Sequence, residues 1–288
     1  MSMQIEAKIL KKLEELEQSE GEISGFVQIY RQLLKVQSAA RSQFTAPQLE
    51  LSESVTSERL TQGVPLLCFE DLLLDWAQVR DLCQEIIDVV VKASPDAEKE
   101  IEALGNVCSD TSLMEKVVRV WYEGSSLIPM ARELRVDGES LCLVAAATLK
   151  PFLSTYAELL LPKVDQESWR RRYCPICGGA PDFAYLDKER GARWLLCSRC
   201  DAEWLFQRLE CPYCGSQDQN TLAYFTDDKG LYRLYVCEQC KRYLKAIDLR
   251  QTESEILLPL ERLLTFEFDI QAGEKGYSPC AEANINEK

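Results

Sequence analysis

The sequence predicts an α+β protein: an all-helical N-terminal domain, two small cysteine-built β modules in tandem, and a C-terminal helix. Three observations carry that expectation. Four Cys-x-x-Cys pairs fall within the 67 residues from Cys174 to Cys240. Upstream of them, apolar residues recur with the 3.6-residue period of helices rather than the two-residue period of strands. Hydrophobic residues make up 46% of the 288, so a sizeable core can form besides the modules. The expected boundaries are 1–169 for the helical domain, 170–209 and 210–250 for the modules, and 251–288 for the closing helix and polar tail.

In chain order, residues 3–19 carry Ile5, Ile9, Leu10, Leu13 and Leu16 on one helical face, and Gly21 interrupts. A second helix is expected from about Ile23 to Gln37, with Phe26, Ile29, Tyr30, Leu33 and Leu34 on one side. Residues 38–63 are polar, contain Pro47, and read as loop and short helix. A strong helix is expected from around Asp71, its face formed by Leu72, Trp76, Val79, Leu82, Cys83, Ile86 and Ile87. Ser94-Pro95-Asp96 ends it and starts the next, because proline in a first helical turn forgoes no hydrogen bond. Further helices fit 96–106, 112–123, 125–135 and 139–160, the last with Pro151 as a kink or a break. After Cys240 a strand and turn lead to a helical period over Ile256–Ile270, set by Leu257, Leu260, Leu264 and Phe268.

The cysteine segment repeats itself. CPICG (174–178) and CSRC (197–200) are followed by CPYCG (211–215) and CEQC (237–240), an offset of about 37 residues. Between the turns of each copy runs an aromatic start, a charged turn with Gly191 or Gly230, and an apolar strand. A Cys-x-x-Cys turn brings two sulfurs together with backbone N–H groups aimed at them, half of a tetrahedral thiolate site. Four halves make two sites. The repeat favours pairing Cys174, Cys177, Cys197 and Cys200 in one site and Cys211, Cys214, Cys237 and Cys240 in the other, over an interleaved arrangement. Disulfides or plain buried thiols are the alternative. Gly178 and Gly215 follow the second sulfur, where the backbone needs positive φ; Asp201 and Lys241 stand in the same place in the other two turns. Four thiolates suit zinc, which would be structural, or a single iron, which could exchange one electron. Five cysteines stand outside the pairs, Cys68, Cys83, Cys108, Cys142 and Cys280, and read as small buried hydrophobes.

Composition removes whole classes of function. The chain has no histidine, which excludes Cys2His2 fingers, imidazole ligands and every histidine-dependent catalytic triad. Its net charge is −14, distributed as −12 over 1–169, +3 over 170–250 and −5 over 251–288. That is not the basic footprint of a duplex binder. The N-terminus lacks the apolar core of a signal peptide, and the longest apolar run, Leu141 to Leu149, is about half a bilayer span. A soluble, cytoplasmic protein without membrane insertion is expected.

At the cysteine segment the chain resembles the FdhE family, accessory proteins of bacterial formate dehydrogenases. The resemblance rests on Cys174-Pro175-Ile176-Cys177-Gly178, on Arg193-Trp194-Leu195-Leu196-Cys197, and on Cys200-Asp201-Ala202-Glu203-Trp204 with Arg208 and Cys211. It continues in Cys240-Lys241-Arg242-Tyr243-Leu244-Lys245, with Pro181 also fitting. Gly63-Val64-Pro65-Leu66-Leu67 and Trp169 look like the family upstream, as do the run 256–277 and its Glu274-Lys275-Gly276-Tyr277 ending. The resemblance implies rubredoxin-like modules holding two mononuclear ions, iron in the family. It also implies a non-enzymatic cytoplasmic maturation factor that binds the catalytic subunit of a formate dehydrogenase. Histidines that many members carry near the junction are absent here, so no role resting on them transfers.

Glu203, Trp204, Arg208, Tyr243 and Lys245 are candidates for a partner-facing patch. The competing reading makes them a brace, since a tryptophan beside a small metal core supplies scarce apolar burial. Two other functions compete with the maturation factor. Tandem ribbons also serve nucleic-acid or transcription-associated proteins, with Arg170-Arg171-Arg172, Trp194, Trp204 and Tyr213 for phosphate contact and stacking, but the charge opposes a polyanion. A dithiol redox enzyme would need only one such pair, not four matched ones.

Overall fold

The computed structural model describes residues 3–20, 25–45, 51–93 and 101–279. Gly21, Pro47, Ser94-Pro95-Asp96 and Cys280 lie outside the described residues. The first half of the chain is helical: α1 (Met3–Glu20), α2 (Gly25–Gln43), α3 (Glu53–Gln62), α4 (Trp76–Ala93), α5 (Ile101–Ser109), α6 (Thr111–Tyr122), α7 (Ile128–Leu134), α8 (Gly138–Leu160) and the single turn α9 (Gln166–Trp169). Six strands follow: β1 (Pro181–Leu186), β2 (Arg193–Cys197), β3 (Glu203–Phe206), β4 (Leu222–Thr226), β5 (Tyr232–Cys237) and β6 (Arg242–Asp248). Two helices close the chain, α10 (Leu258–Leu264) and α11 (Phe266–Glu274). This is the α+β class read from the sequence.

Contacts divide the chain into two compact units, one of residues 1–49 and 68–156, the other of residues 50–67 and 157–288. In the helical unit, α1 packs on α2, α2 on α4, α4 on α5 and α5 on α6. Its core contains Ile9, Leu13, Val79, Ile86, Ile87 and Leu149, all 1% exposed or less. One ion pair is buried with it, Arg41 Nη1 to Glu6 Oε1 at 2.5 Å.

Two local details differ from expectation, the start of α4 and the state of the lone cysteines. Residues 69–71 form a 3-10 turn instead of opening the helix, because Asp71 Oδ2 accepts from Cys68 N at 3.0 Å; α4 begins at Trp76, where Asp75 Oδ1 accepts from Ala77 N at 2.9 Å. Leu72 is therefore buried ahead of the helix rather than on it. Cys83 on α4 and Cys108 on α5 are joined as a disulfide rather than standing as separate apolar residues. Cys68 is exposed and Cys142 half-buried. Pro151 lies inside α8, which continues through it, with Thr155 Oγ1 donating to the Pro151 carbonyl at 2.9 Å. By length and composition, the stretch Gly138–Lys163 is apolar enough to cross a membrane, and 67% of its most apolar window is buried inside the protein.

In the second unit the six strands form one sheet in the order β3-β2-β1-β6-β5-β4. Each cysteine module contributes three strands, antiparallel within the first (β1–β3) and within the second (β4–β6); β1 and β6 pair in parallel and join the halves. Because side chains alternate along strands and partners share a face, Phe183, Leu196, Leu234, Val236, Tyr243 and Ile247 lie on one side of the sheet. The segment 256–277 covers that side: Leu234, Val236 and Tyr243 pack with Ala272 and Tyr277, and Phe183, Leu196 and Ile247 with Ile256 and Leu258. The expected single helix is broken at Thr265, whose hydroxyl donates to the Glu261 carbonyl at 2.8 Å, a local bond that competes with continuing the helix. The opposite face carries Arg193, Leu195, Trp204, Phe206, Tyr235 and Leu244.

Candidate metal centres

The four Cys-x-x-Cys turns are built alike. In each, the residue after the second cysteine donates its N–H to the carbonyl of the first: Gly178 to Cys174 (3.0 Å), Asp201 to Cys197 (3.3 Å), Gly215 to Cys211 (3.0 Å) and Lys241 to Cys237 (2.8 Å). That closure requires left-handed backbone, and the four residues have φ of 71°, 56°, 75° and 55°. Glycine adopts this without steric cost, and Asp201 and Lys241 adopt it against their Cβ atoms. The turn frees backbone N–H groups for sulfur: Ile176 N reaches Cys174 Sγ and Arg199 N reaches Cys197 Sγ, both at 3.4 Å.

Two groups of four sulfurs result, Cys174, Cys177, Cys197 and Cys200, then Cys211, Cys214, Cys237 and Cys240, each with all Sγ atoms within 4.8 Å of one another. Individual separations are 3.6 Å for 174–200, 3.5 Å for 177–197 and 177–200, and 3.7 Å for 211–240 and 214–237. A tetrahedral ion with metal–sulfur bonds of about 2.3 Å has sulfur–sulfur edges of about 3.8 Å. The donor geometry fits a tetrahedral thiolate-bound ion in both places.

Electrostatics points the same way. Burial pushes the thiols of Cys174 and Cys200 well above the ordinary cysteine range, while hydrogen bonding with Cys174 holds Cys177 well below it. In the second group burial pushes Cys240 up to about 11. Four thiols this close ionise together only beside a compensating cation. The two groups differ in shielding. All four cysteines of the first are buried, at 0–4% exposure, whereas Cys214 and Cys240 of the second are half-buried.

A clamp from far upstream holds the first group. After α3, the segment at 64–67 runs beside the first turn, with Leu66 N donating to Pro175 O and Leu67 N to Ile176 O, both at 2.9 Å. Tyr173 Oη donates to Gly63 O at 2.7 Å, Arg59 Nη1 to Leu66 O at 3.0 Å, and Arg171 Nη2 to Thr61 O at 3.2 Å. Gly63 ends α3 at φ 76°, and a Cβ there would lie 2.5 Å from the Arg171 guanidinium carbon. The Gly63-Val64-Pro65-Leu66-Leu67 run thus has a structural role that its spacing alone does not reveal. From the other side, Arg262 of α10 donates to Cys197 O at 3.2 Å and Asp201 Oδ1 at 2.9 Å, tying the closing helices to the second turn.

Comparison with known proteins places this arrangement. A family model described as "FdhE, central domain" matches residues 173–208, which contain the first sulfur group. A protein named "Protein FdhE homolog" from Aquifex aeolicus is 26% identical over 273 residues, covering 93% of this chain and 90% of its own length. Along nearly its whole length the chain is similar to FdhE proteins. Homologs of the same name from Shewanella sp. (strain MR-4) and Haemophilus ducreyi are 30% and 34% identical, over 44% and 39% of their own lengths. The fold matches the crystal structure of the FdhE protein from Pseudomonas aeruginosa with a TM-score of 0.64 over 96% of this chain and 94% of that one, at 20% identity.

The structure does not bring the five candidate partner-facing residues together as one exposed patch. Trp204 is fully buried, and its Nε1 donates to Arg171 O at 2.8 Å. Lys245, 5% exposed, donates to Asp269 Oδ2 at 2.7 Å and to Arg262 O at 2.8 Å, and Tyr243 Oη donates to Asp269 Oδ1 at 2.7 Å. Burial lowers the Lys245 ammonium from its ordinary value. These three side chains are buried and hydrogen-bonded within the second unit. Glu203 is half-buried and accepts from Tyr185 Oη at 2.7 Å, with burial pushing its carboxyl up. Arg208 is exposed and, among the described residues, forms no ion pair, so it does not make the acidic contact that a brace would use.

Proposed function

We propose that this chain is a non-enzymatic accessory factor that acts in the cytoplasm on the catalytic subunit of a formate dehydrogenase during its maturation. The observation that carries the reading is the presence of two complete four-sulfur groups in a chain similar to FdhE proteins along nearly its whole length. Cys174, Cys177, Cys197 and Cys200 would hold one ion, and Cys211, Cys214, Cys237 and Cys240 the other, with iron or zinc as the resident metal. Iron in such a site supplies one-electron exchange and zinc supplies rigidity. The protein's own part is to shield the first site, leave the second nearer solvent, and hold both on one sheet. Visible absorption and elemental analysis of protein purified without oxygen separate the two metals.

In this reading residues 1–169 form the acidic helical domain, 170–209 and 210–250 the two modules, and 251–288 the closing element. Of the candidate contact residues, Arg208 with its exposed neighbour Leu209 is the accessible part of the junction between the modules. The functional test is a strain lacking the gene. Formate dehydrogenase subunits should then accumulate without activity, and the wild-type gene should restore activity. Undiminished formate dehydrogenase activity in the deletion strain would reject the proposal.

A further inference from the structure

On the sheet face away from α10 and α11, a cavity of about 30 Å³ opens beside the second sulfur group. Three arginines line it: Arg193 from β2, Arg208 from the junction and Arg242 from β6. Arg193 is 2% exposed, and burial holds its guanidinium down to about 10. It stacks over Phe206 at 5.2 Å and Tyr235 at 5.6 Å and donates from Nη2 to the carbonyls of Gln207 and Glu210. Its buried Nε has no hydrogen-bond partner. Arg242 lies over the Tyr213 ring at 5.8 Å. Among the described residues none of the three arginines forms an ion pair with a carboxylate.

A buried guanidinium without a counter-anion is costly, and the unpaired Nε–H leaves the charge of Arg193, a residue of the cavity wall, incompletely satisfied. The one carboxylate lining the cavity, on Glu210, already accepts from Gln217 Nε2 at 2.9 Å. The excess negative charge of a loaded second site lies nearby, since Cys211 and Cys237 share the cavity wall. It offsets charge but supplies no acceptor to Nε in this geometry.

We infer that this cavity binds a small carboxylate anion, held by Arg193 and Arg242 and closed from the solvent side by Arg208. Size selects the class. One water needs about 10–15 Å³ of such volume, so the space takes about two or three heavy atoms, which suits the three atoms of a carboxylate group with its adjoining carbon left in the mouth of the cavity. Guanidinium groups match that planar anion with paired N–H donors. Leu222, Tyr235 and Leu244 give the apolar remainder of the wall. The inference goes beyond the maturation role and does not depend on it.

The test uses purified, metal-loaded protein and sodium acetate as probe, against sodium chloride at equal ionic strength. Melting temperature and intrinsic fluorescence report binding, and metal content is measured before and after. Acetate should raise the melting temperature saturably, with two ions per chain throughout. Arg208→Gln should keep fold and metal but weaken acetate at least about tenfold, the loss of one charged hydrogen bond. Arg208 is exposed, so this variant does not rely on the packing that Arg193→Gln would disturb. An equal response to chloride, undiminished acetate affinity in Arg208→Gln, tighter binding of inorganic phosphate than of acetate, or a response that tracks metal loss would each overturn the assignment.

Discussion

Replacing Trp204 by phenylalanine separates a brace from a contact residue. Trp204 is 0% exposed, pairs with Leu195 across β2–β3, and donates Nε1–H to the Arg171 carbonyl at 2.8 Å. Phenylalanine keeps one ring, removes that donor and leaves the carbonyl unpaired, costing about 1–3 kcal/mol. The missing second ring adds about 1 kcal/mol of lost burial and cavity. The total is about 3 kcal/mol. At roughly 2–4 °C per kcal/mol for a unit of this size, the melting temperature should fall by roughly 6–12 °C. Thermal denaturation of metal-loaded protein followed by circular dichroism measures this, with partner capture assayed at a temperature where the variant stays folded. Capture should persist. A shift under about 2 °C together with loss of capture would refute the brace assignment and put Trp204 at the client interface.

Three further outcomes follow from the same geometry. A thiophilic chelator should remove the ion of Cys211, Cys214, Cys237 and Cys240 before the other, in two resolved phases, because only the second group has half-buried sulfurs; simultaneous release would contradict this. Gly178→Ala should destabilise the first module by about 1–2 kcal/mol from its left-handed backbone alone, with further strain because the new Cβ would lie 3.3 Å from Pro65; unchanged denaturation would contradict it. Asp248, fully buried, accepts from Arg250 at 2.7 Å and Arg233 at 2.6 Å, and its hydrogen bond with Arg250 is the main cause holding its carboxyl below the ordinary value. Its stabilisation is therefore complete above the unfolded aspartate value of about 3.9 and is lost as pH falls through the lower folded value. Asp248→Asn should cost about 3 kcal/mol at neutral pH, with the gap to wild type closing below about pH 4, as read by denaturation at a series of pH values.

The parts of this fold legible in the sequence are those set by short-range chemistry. The spacing of the cysteine turns, and the need for positive φ after each, point to two sulfur groups and to unusual backbone at Asp201 and Lys241, where φ is 56° and 55°. Helical periodicity places most helices. What stayed hidden depends on partners distant in sequence. The Leu66 and Leu67 bonds to the first turn cross more than a hundred residues, and nothing polar or periodic in the segment at 64–67 announces them. The parallel pairing of β1 with β6 fuses the modules into one sheet, which an internal repeat cannot reveal because each copy reads as self-contained. The starts and stops at Asp75 and Thr265 turn on single side-chain hydrogen bonds that compete with helix continuation. Cys83 and Cys108 meet only because α4 packs on α5.

The most direct measurement is affinity capture of the tagged chain from its source organism grown on formate without oxygen, with partners identified by mass spectrometry. The account predicts recovery of a formate dehydrogenase catalytic subunit with the wild-type chain and its loss when Cys174 and Cys211 are both replaced by alanine. Capture of polymerase, ribosome or nucleic acid in its place would contradict the account and make the two modules binding elements of another kind.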